Sequence, residues 1–574
     1  MVMVSMVMNA EEIPYTANDG TVYILDTETH CAHSIGCSEN STHIIIPKSI
    51  THDGANYTVT EIMGINGPSL LSIKIKALVT NLGIGCFGNS PSLKTIELPS
   101  SITSLGDMCF ANCTALQTIE IPSSVTSLGY GCFGNCTALK SIEIPSSVTS
   151  LGGDCFRDCT SLQSIKIPSS VTSLGGMCFY GCSALTSIEI PSSVTSLGGM
   201  CFYRCSALQS IVIQASQTSK ISLGDWCFAD CSAIQSIKIP KSVTSLGKDC
   251  FSGCSSLQSI EISSSVTSLG DECFYDCTAL QSIAIQTSPT SVISLGNYCF
   301  RGCSSLQTIE LPSSVTSLGS GCFLNCTALQ AIELPSSVTS LGECCFEGCS
   351  ALTSIKIPSS VTNLEYCCFM NCSALTSIEI SSSVISLEKK CFYGCTALKS
   401  IKIPSSVISL NDDCFYGCTA LTSIEIPSSV TSLGGWCFSY CIALKSIKIP
   451  SSVTNIGSWI FDRCMELTDV TCEAVNCPIV HTDDHGNKLG VFHIESATLY
   501  VPEESVELYK NTEPWSQFGN IKAIGTTGLN GIAVEETYET QDVYGIDGTR
   551  KRTIKSGVNI IRMSNGKTKK VLKK

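Results

Sequence analysis

The chain has 574 residues and a formal net charge of −14 at pH 7, with 43% hydrophobic residues, only 14% charged residues and 38 cysteines. No stretch reaches the ~20 uninterrupted apolar residues that a membrane helix needs. Residues 549–574 hold ten Lys/Arg and no acid, so the body ahead of them is more acidic than the total suggests. That argues against nucleic acid as a partner, since such a partner needs a basic footprint.

Residues 1–10, Met-Val-Met-Val-Ser-Met-Val-Met-Asn-Ala, form a short apolar run ending in a small residue and followed by Glu11 and Glu12. This is the pattern of the back half of a secretory signal peptide that lacks its charged front.

From there the chain is dominated by one repeat. Cys-Phe occurs at 86, 109, 132, 155, 178 and 201, each 23 residues after the last, then at 227, 250 and 273, and again from 299 to 437. Two units, ending at Cys227 and Cys299, are 26 residues long, and a seventeenth carries Ile460-Phe461 instead. Such periodicity marks a solenoid, in which each unit buries its apolar face only against its neighbours. In the unit from Leu116 to Cys136, Ile119-Glu120-Ile121 alternates with the period of a strand, isoleucines inward and glutamate outward. Pro122, lacking an N–H, closes that strand. Val125 points inward from a short return of solvent-facing serines, and Gly129 suits a turn needing a permissive backbone. Cys132, Cys136 and Leu139 share one face if the segment is helical or 3-10. Strands are expected at 119–121, 142–144 and 424–426, and at ~4.8 Å per strand the stack spans on the order of 80 Å. The extra residues of the long units are placed in bulges at 214–220 and 286–292 that leave the core register unchanged.

The pattern Leu-x-x-Ile-x-Ile-Pro-x-x-Val-Thr-x-Leu-Gly-x-x-Cys-Phe-x-x-Cys resembles the BspA-like leucine-rich repeat of bacterial and protist surface proteins. The resemblance covers roughly residues 60–470 and departs from the family in one column, where cysteine replaces the usual alanine before phenylalanine. It implies an α/β-type repeat solenoid: a parallel β-sheet on the concave face and short helical or 3-10 turns on the convex face. Thr42-His-Ile-Ile-Ile-Pro47 and Tyr57-Thr-Val-Thr60 resemble the family's N-terminal cap hairpin, and Ala497 through Ile521 its C-terminal cap. Asp542 to Gly548 and Gly557 to Val571 are similar to a type-A sorting domain of type IX secretion, a small β-sandwich read by outer-membrane export machinery. The expected organisation is a signal-peptide remnant at 1–10, a cap with hairpin at 11–60 and about 17 repeats at 61–471. A C-terminal cap at 472–524 and a small all-β domain at 525–574 complete it.

The cysteines leave three roles open. Sixteen precede Phe and sixteen sit four residues later; the remainder are Cys31, Cys37, Cys344, Cys367, Cys472 and Cys477. Buried thiols would pack as small hydrophobes. Disulfides would need mates in neighbouring repeats, but stacked identical positions point their Cβ atoms in parallel. Zinc could use Cys-x-x-x-Cys from adjacent turns. Cys31 and Cys37, in a polar segment, are the disulfide candidates.

Catalytic chemistry has little to draw on. Histidines occur only at 30, 33, 43, 52, 481, 485 and 493, so the repeats lack a base for any serine or cysteine nucleophile. No enzyme activity or cofactor is expected. His481, Asp483 and His485 form a metal candidate in a loop after the last repeat. Two surfaces are binding candidates. Glu97, Glu120 and Glu143 stack as like charges on the strand face, suited to a basic partner, whereas Lys356, Glu379, Lys402, Glu425 and Lys448 alternate in sign. Tyr180, Tyr203, Tyr275, Tyr393 and Tyr416 follow Cys-Phe, with Trp226 and Trp436 just before it, and aromatics recur in interface hot spots. The family resemblance implies a secreted or bacterial surface protein that binds a protein partner such as host matrix or a neighbouring cell, exported through its tail. A self-associating surface-layer protein without a specific ligand is the alternative.

Overall fold

The computed structural model describes residues 12–214, 220–286, 292–481, 496–525, 540–545, 550–551, 557–563 and 568–573. The signal-like run at 1–10 lies outside them. The chain divides into two compact units that part between Ile521 and Lys522.

The first unit begins with a five-stranded sheet in the order Glu12–Thr16, Thr21–Asp26, Cys31–Cys37, Ala55–Ile62, Ser49–His52. Its hairpin differs from the expected one. Ser49–His52, not Thr42–Pro47, pairs antiparallel with Ala55–Ile62 around Asp53-Gly54, both at positive φ, 47° and 76°. Asp-Gly favours such a two-residue turn. His43–Ile46 instead runs parallel to Ser72–Ile75 and makes the first turn of the solenoid.

Each repeat then contributes three sides. The continuous ladder is not the Ile-x-Ile side but the Ser-Leu side. There, twelve parallel strands run from Asn81–Leu82 to Ser340–Leu341, and six more run from Asn363–Leu364 to Ile479–Val480. Pairing joins each residue to its equivalent in the next repeat, as in Ser127 with Ser150 and Leu128 with Leu151. The serines of Pro-Ser-Ser are not merely solvated: Ser147 Oγ donates to Val125 O at 2.5 Å and Ser170 Oγ to Val148 O at 2.6 Å. The Ile-x-Ile side is broken into short sheets, such as Ser141–Glu143 with Ser164–Lys166 and Ser236–Ile239 through Ser282–Ile285. Residues 119–121 form no strand, and at 424–426 Glu425 makes only isolated bridges to Lys402 and Lys448. Proline after the second isoleucine removes a donor from this side. Where Gln214 and Gln286 stand instead, their N–H groups donate to Ile190 O at 2.9 Å and Ile262 O at 2.8 Å.

The third side carries the Cys-Phe motif and is not helical. The residues before each cysteine adopt left-handed backbone, as in Met108 (φ 54°) and Asn112 (φ 62°), or Trp226 (φ 59°) and Asp230 (φ 57°). With this alternation, single turns close by i→i+3 bonds such as Cys136 N to Phe133 O, 3.2 Å. The intervening N–H groups of Met108, Phe110 and Asn112 reach the next repeat at Tyr130, Cys132 and Gly134 carbonyls, 2.6 to 2.8 Å away. The turns are thus a third inter-repeat ladder. A helix would have spent those donors within itself.

The core lies between the three sides. Val125, Cys132, Phe133, Cys136 and Leu139 are fully enclosed, and Ile119, Ile121 and Leu128 nearly so. The phenylalanines stack with ring centroids 5.2–5.7 Å apart through the whole run from Phe87 to Phe438, long units included. In those long units the Ser-Leu register holds, with Leu197 beside Leu223, and Ile221 takes the inward role of valine through a local bulge. The bulk of the two expected insertions, 215–219 and 287–291, lies outside the described residues. Gly129 is required by close approach rather than by φ: a Cβ there would fall 2.6 Å from Asp107 N, and on Gly152 2.6 Å from Gly129 C.

After the last repeat, Thr498–Val501 pairs parallel with Asp469–Cys472. Helix Val506–Lys510 and the 3-10 turn Trp515–Gln517 then bury Tyr509 and Trp515 against the stack. Trp515 Nε1 donates to Pro478 O at 3.1 Å and Tyr509 Oη to Ala474 O at 2.8 Å, satisfying the open end. In the second unit, Thr540–Gly545, Arg550–Lys551, Gly557–Met563 and Thr568–Lys573 pair as an antiparallel sheet.

Candidate functional site

The acidic run on the strand face is narrower than its sequence suggests. Lys74 Nζ pairs with Glu97 Oε2 at 2.5 Å, and Glu143 stands in register with Lys166. Glu120 is left between two glutamates, and it shares with Glu97 a groove of about 510 Å³ edged by Ile96, Leu98 and Pro122. Farther along, Lys356 Nζ meets Glu379 at 3.0 Å, while Lys448 turns to Glu473 at 2.8 Å. Exposed pairs of this kind contribute little, roughly 0.2–1 kcal/mol each. Part of the face is self-neutralising, while Glu310 and Glu333 stand in register as like charges.

The aromatic candidates are brought together by the turn ladder, which holds equivalent positions one rung apart. Tyr180 stacks on Tyr203 with centroids 5.2 Å apart, and Trp226 meets Tyr203 edge-on at 6.0 Å. A second run joins Tyr393 to Tyr416 at 4.6 Å, with Trp436 6.5 Å beyond. All are half-buried. Tyr275 stands apart from both runs, under the guanidinium of Arg301 at 5.2 Å. Sequence reading missed the cations: Arg157 lies over Tyr180 at 5.0 Å and Arg204 over Tyr203 at 5.1 Å. It also missed Tyr440 and Trp459, which extend the second run. The signal was present, since Arg157, Arg301 and the tyrosines occupy the same column.

The second cysteine column has a specific role. Each of its thiols donates to the phenylalanine carbonyl of the preceding repeat, as Cys136 Sγ does to Phe110 O at 3.2 Å and Cys254 Sγ to Phe228 O at 3.2 Å. Burial pushes the Cys159, Cys254 and Cys418 thiols up to about 12, so they are protonated and unreactive at neutral pH. Cys31 and Cys37 stand at opposite ends of a single strand, ~20 Å apart by strand rise, too far to bridge to each other in this conformation. Of the metal candidate, Asp483 and His485 lie outside the described residues; His481 Nε2 is 3.4 Å from Asn455 Oδ1. A serine does meet a base, contrary to expectation. His43 Nδ1 lies 2.7 Å from Ser72 Oγ, on an exposed strand face where no carboxylate contacts the ring among the described residues. Among the described residues, one group brings together ligand atoms suited to a metal: Cys344, Glu347 and Cys367.

The BspA type leucine rich repeat region matches the chain in six copies, over residues 65–185, 126–222, 213–288, 286–398 and 362–479. The chain belongs to the BspA-type leucine-rich-repeat family. Proteins of this family are in general non-enzymatic scaffolds, and leucine-rich-repeat proteins typically bind proteins. Among solved structures, a leucine-rich repeat protein from Bacteroides ovatus is 26% identical, with 78% of this chain and 95% of that one covered and a TM-score of 0.47. A leucine rich cell surface protein from Faecalibacterium prausnitzii is 30% identical over 64% of this chain and 95% of that one, with a TM-score of 0.42. No curated protein matches the chain. No helix among the described residues is long and apolar enough to cross a membrane.

Proposed function

We propose that this BspA-type protein is a secreted or surface-held binding scaffold, and that a protein partner docks on the turn edge around Tyr180, Tyr203 and Trp226. The observation that carries the reading is the stack itself: half-buried rings held one rung apart, with Arg157 and Arg204 laid over them. Tyr, Trp and Arg are the residues enriched in interface cores, and here their rotamers are already fixed by stacking, so little ordering entropy remains to be lost. On the strand face, several charges are instead spent on one another, as in Lys74 with Glu97, Lys238 with Glu261 and Lys356 with Glu379. Export fits the apolar run at 1–10 and the sorting-like tail at 525–574.

Immobilised reconstituted extracellular matrix is the first partner to try. Replacing Tyr203→Ala together with Trp226→Ala should weaken retention by roughly 30-fold or more, the scale of a hot spot. Tyr203→Phe, which keeps the ring, should hold most of the binding. Equal retention of wild type and the double variant would overturn the assignment to this edge. Loss with Glu120→Lys instead would move the site to the strand face.

A further inference from the structure

We infer that Cys344, Cys367 and Glu347 form a binding site for a soft divalent cation such as Zn(II), held by two thiolates and one carboxylate with a fourth position open to solvent. These cysteines belong to neither column. At their position other repeats carry Met177, Asp154, Trp226, Tyr298 or Lys390, so stacking does not require cysteine there. Two occur in consecutive repeats, and the turn ladder aims them the same way. Both have left-handed backbone, φ 54° and 55°, fixed by Cys344 N donating to Tyr366 O at 2.7 Å and Cys367 N to Lys389 O at 3.0 Å. The turn that joins Glu347 N to Cys344 O at 3.1 Å then swings the Glu347 carboxylate beside the first thiol.

The two Sγ atoms and a carboxylate oxygen all lie within 4.8 Å of one another. A tetrahedral zinc ion with Zn–S of about 2.3 Å and Zn–O of about 2.0–2.2 Å sets its ligands a little under 4 Å apart, so small rotamer shifts complete the site. Cys367 is buried, while Cys344 and Glu347 are half-buried, which leaves one side of the cluster open. A divalent ion takes both sulfurs as thiolates, and the two thiol protons leave to solvent as it binds. Lys390 in the following repeat offsets part of the remaining negative charge at Cys367. The location is also distinctive. The long Ser-Leu ladder ends at Leu341 and restarts at Leu364, and the close-packed glycine column gives way to Glu365, Glu388 and Asn411. A clasp across the 344/367 rung would tie the two ladders together. A disulfide fits less well, because side chains held in parallel at strand spacing keep Cβ atoms about 4.8 Å apart, beyond the ~3.8 Å typical of a bridge.

The full chain, reduced with a phosphine and stripped with a chelator, should take up about one Co(II) per chain with the intense near-ultraviolet band of thiolate-to-cobalt charge transfer, and Zn(II) should displace it. Cys344→Ser with Cys367→Ser should abolish the band at unchanged circular dichroism. Glu347→Gln should weaken uptake about tenfold or more. Cys31→Ser with Cys37→Ser should leave it intact. Absence of the band in wild type, or its persistence in the Cys344→Ser/Cys367→Ser chain, would overturn the site. So would a Cys344–Cys367 disulfide in peptide maps of untreated protein together with no cobalt uptake after reduction.

Discussion

Alkaline pH should unfold this protein abruptly, and the cause is the pair of thiol ladders. In the native state the thiols of Cys159, Cys254 and Cys418 are pushed up to about 12 by burial. In an unfolded chain a cysteine ionises near ~8.5. Between those values the unfolded state gives up a proton that the folded state keeps. Stability is therefore intact below ~8.5 and falls as pH rises, by about 1.4 kcal/mol per pH unit for each such thiol. A repeat with one thiol in each column loses about 2.7 kcal/mol per pH unit. Ordinary domains hold roughly 0.05–0.15 kcal/mol per residue, or about 1–3 kcal/mol for a 23-residue unit. The reserve of each repeat is gone about one pH unit above the unfolded thiol value, so the array should collapse near pH ~9.5–10, far below the native thiol range. Far-ultraviolet circular dichroism and thiolate absorbance, followed together under a phosphine reductant, test this. Both should change in one steep step. A thiolate signal rising smoothly around pH ~8.5 while the dichroism stays native would refute the burial argument, as would a fold that survives to pH ~12.

Three further outcomes follow from the same packing. Cys254→Ala removes the donor to Phe228 O, but that carbonyl keeps the Cys231 N–H at 3.3 Å; the loss should be about 1.5–2 kcal/mol, read by hydrogen exchange around that repeat. Gly152→Ala would place a Cβ 2.6 Å from Gly129 C and O, and should cost about 1–3 kcal/mol in thermal melts; Gly54→Ala, with φ 76° and nothing within 4 Å, should cost only about 1 kcal/mol of backbone strain. Brief alkylation of the native protein, mapped by mass spectrometry, should mark Cys31, Cys37 and Cys477 and leave both columns unlabelled until the chain is denatured.

The core was legible in the sequence because stacking repeats each demand: Ile119, Ile121, Val125, Leu128, Phe133 and Leu139 recur with a fixed period and are buried as that period requires. The ladders were harder. Two-residue strands such as Ser127–Leu128 carry no alternation to read, and proline's effect on the Ile-x-Ile side shows only when one asks which N–H is missing. The turns were misread as helical because Cys132, Cys136 and Leu139 do share a face. What decides against a helix is left-handed backbone at Met108, Met177 and Trp226, residue types that give no sign of it. Of the candidate surfaces, the aromatic column was visible and its stacking was implied by the period. The acidic run is bounded in the structure by Lys74, which pairs with Glu97, and by Lys166, which stands in register with Glu143.

A periodic array separates structure from use in a way a globular domain does not. A residue that stacking requires must appear in nearly every unit, as Phe133 and its equivalents do without interruption. A residue appearing in only two or three consecutive units is not needed by the fold, yet the ladder holds such neighbours about one strand spacing apart, close enough to act together. Tyr180 with Tyr203, Cys344 with Cys367, and Glu365 with Glu388 are groups of this kind. Glu365 shows that such groups can work against stability: burial and the nearby Glu388 and Glu343 raise its carboxyl above the usual range, where the preceding repeats have glycine. Short runs that the stack does not demand, and in places tolerates at a cost, are where binding chemistry in this chain should be sought, and the aromatic edge and the Cys344–Cys367 rung are both of that kind.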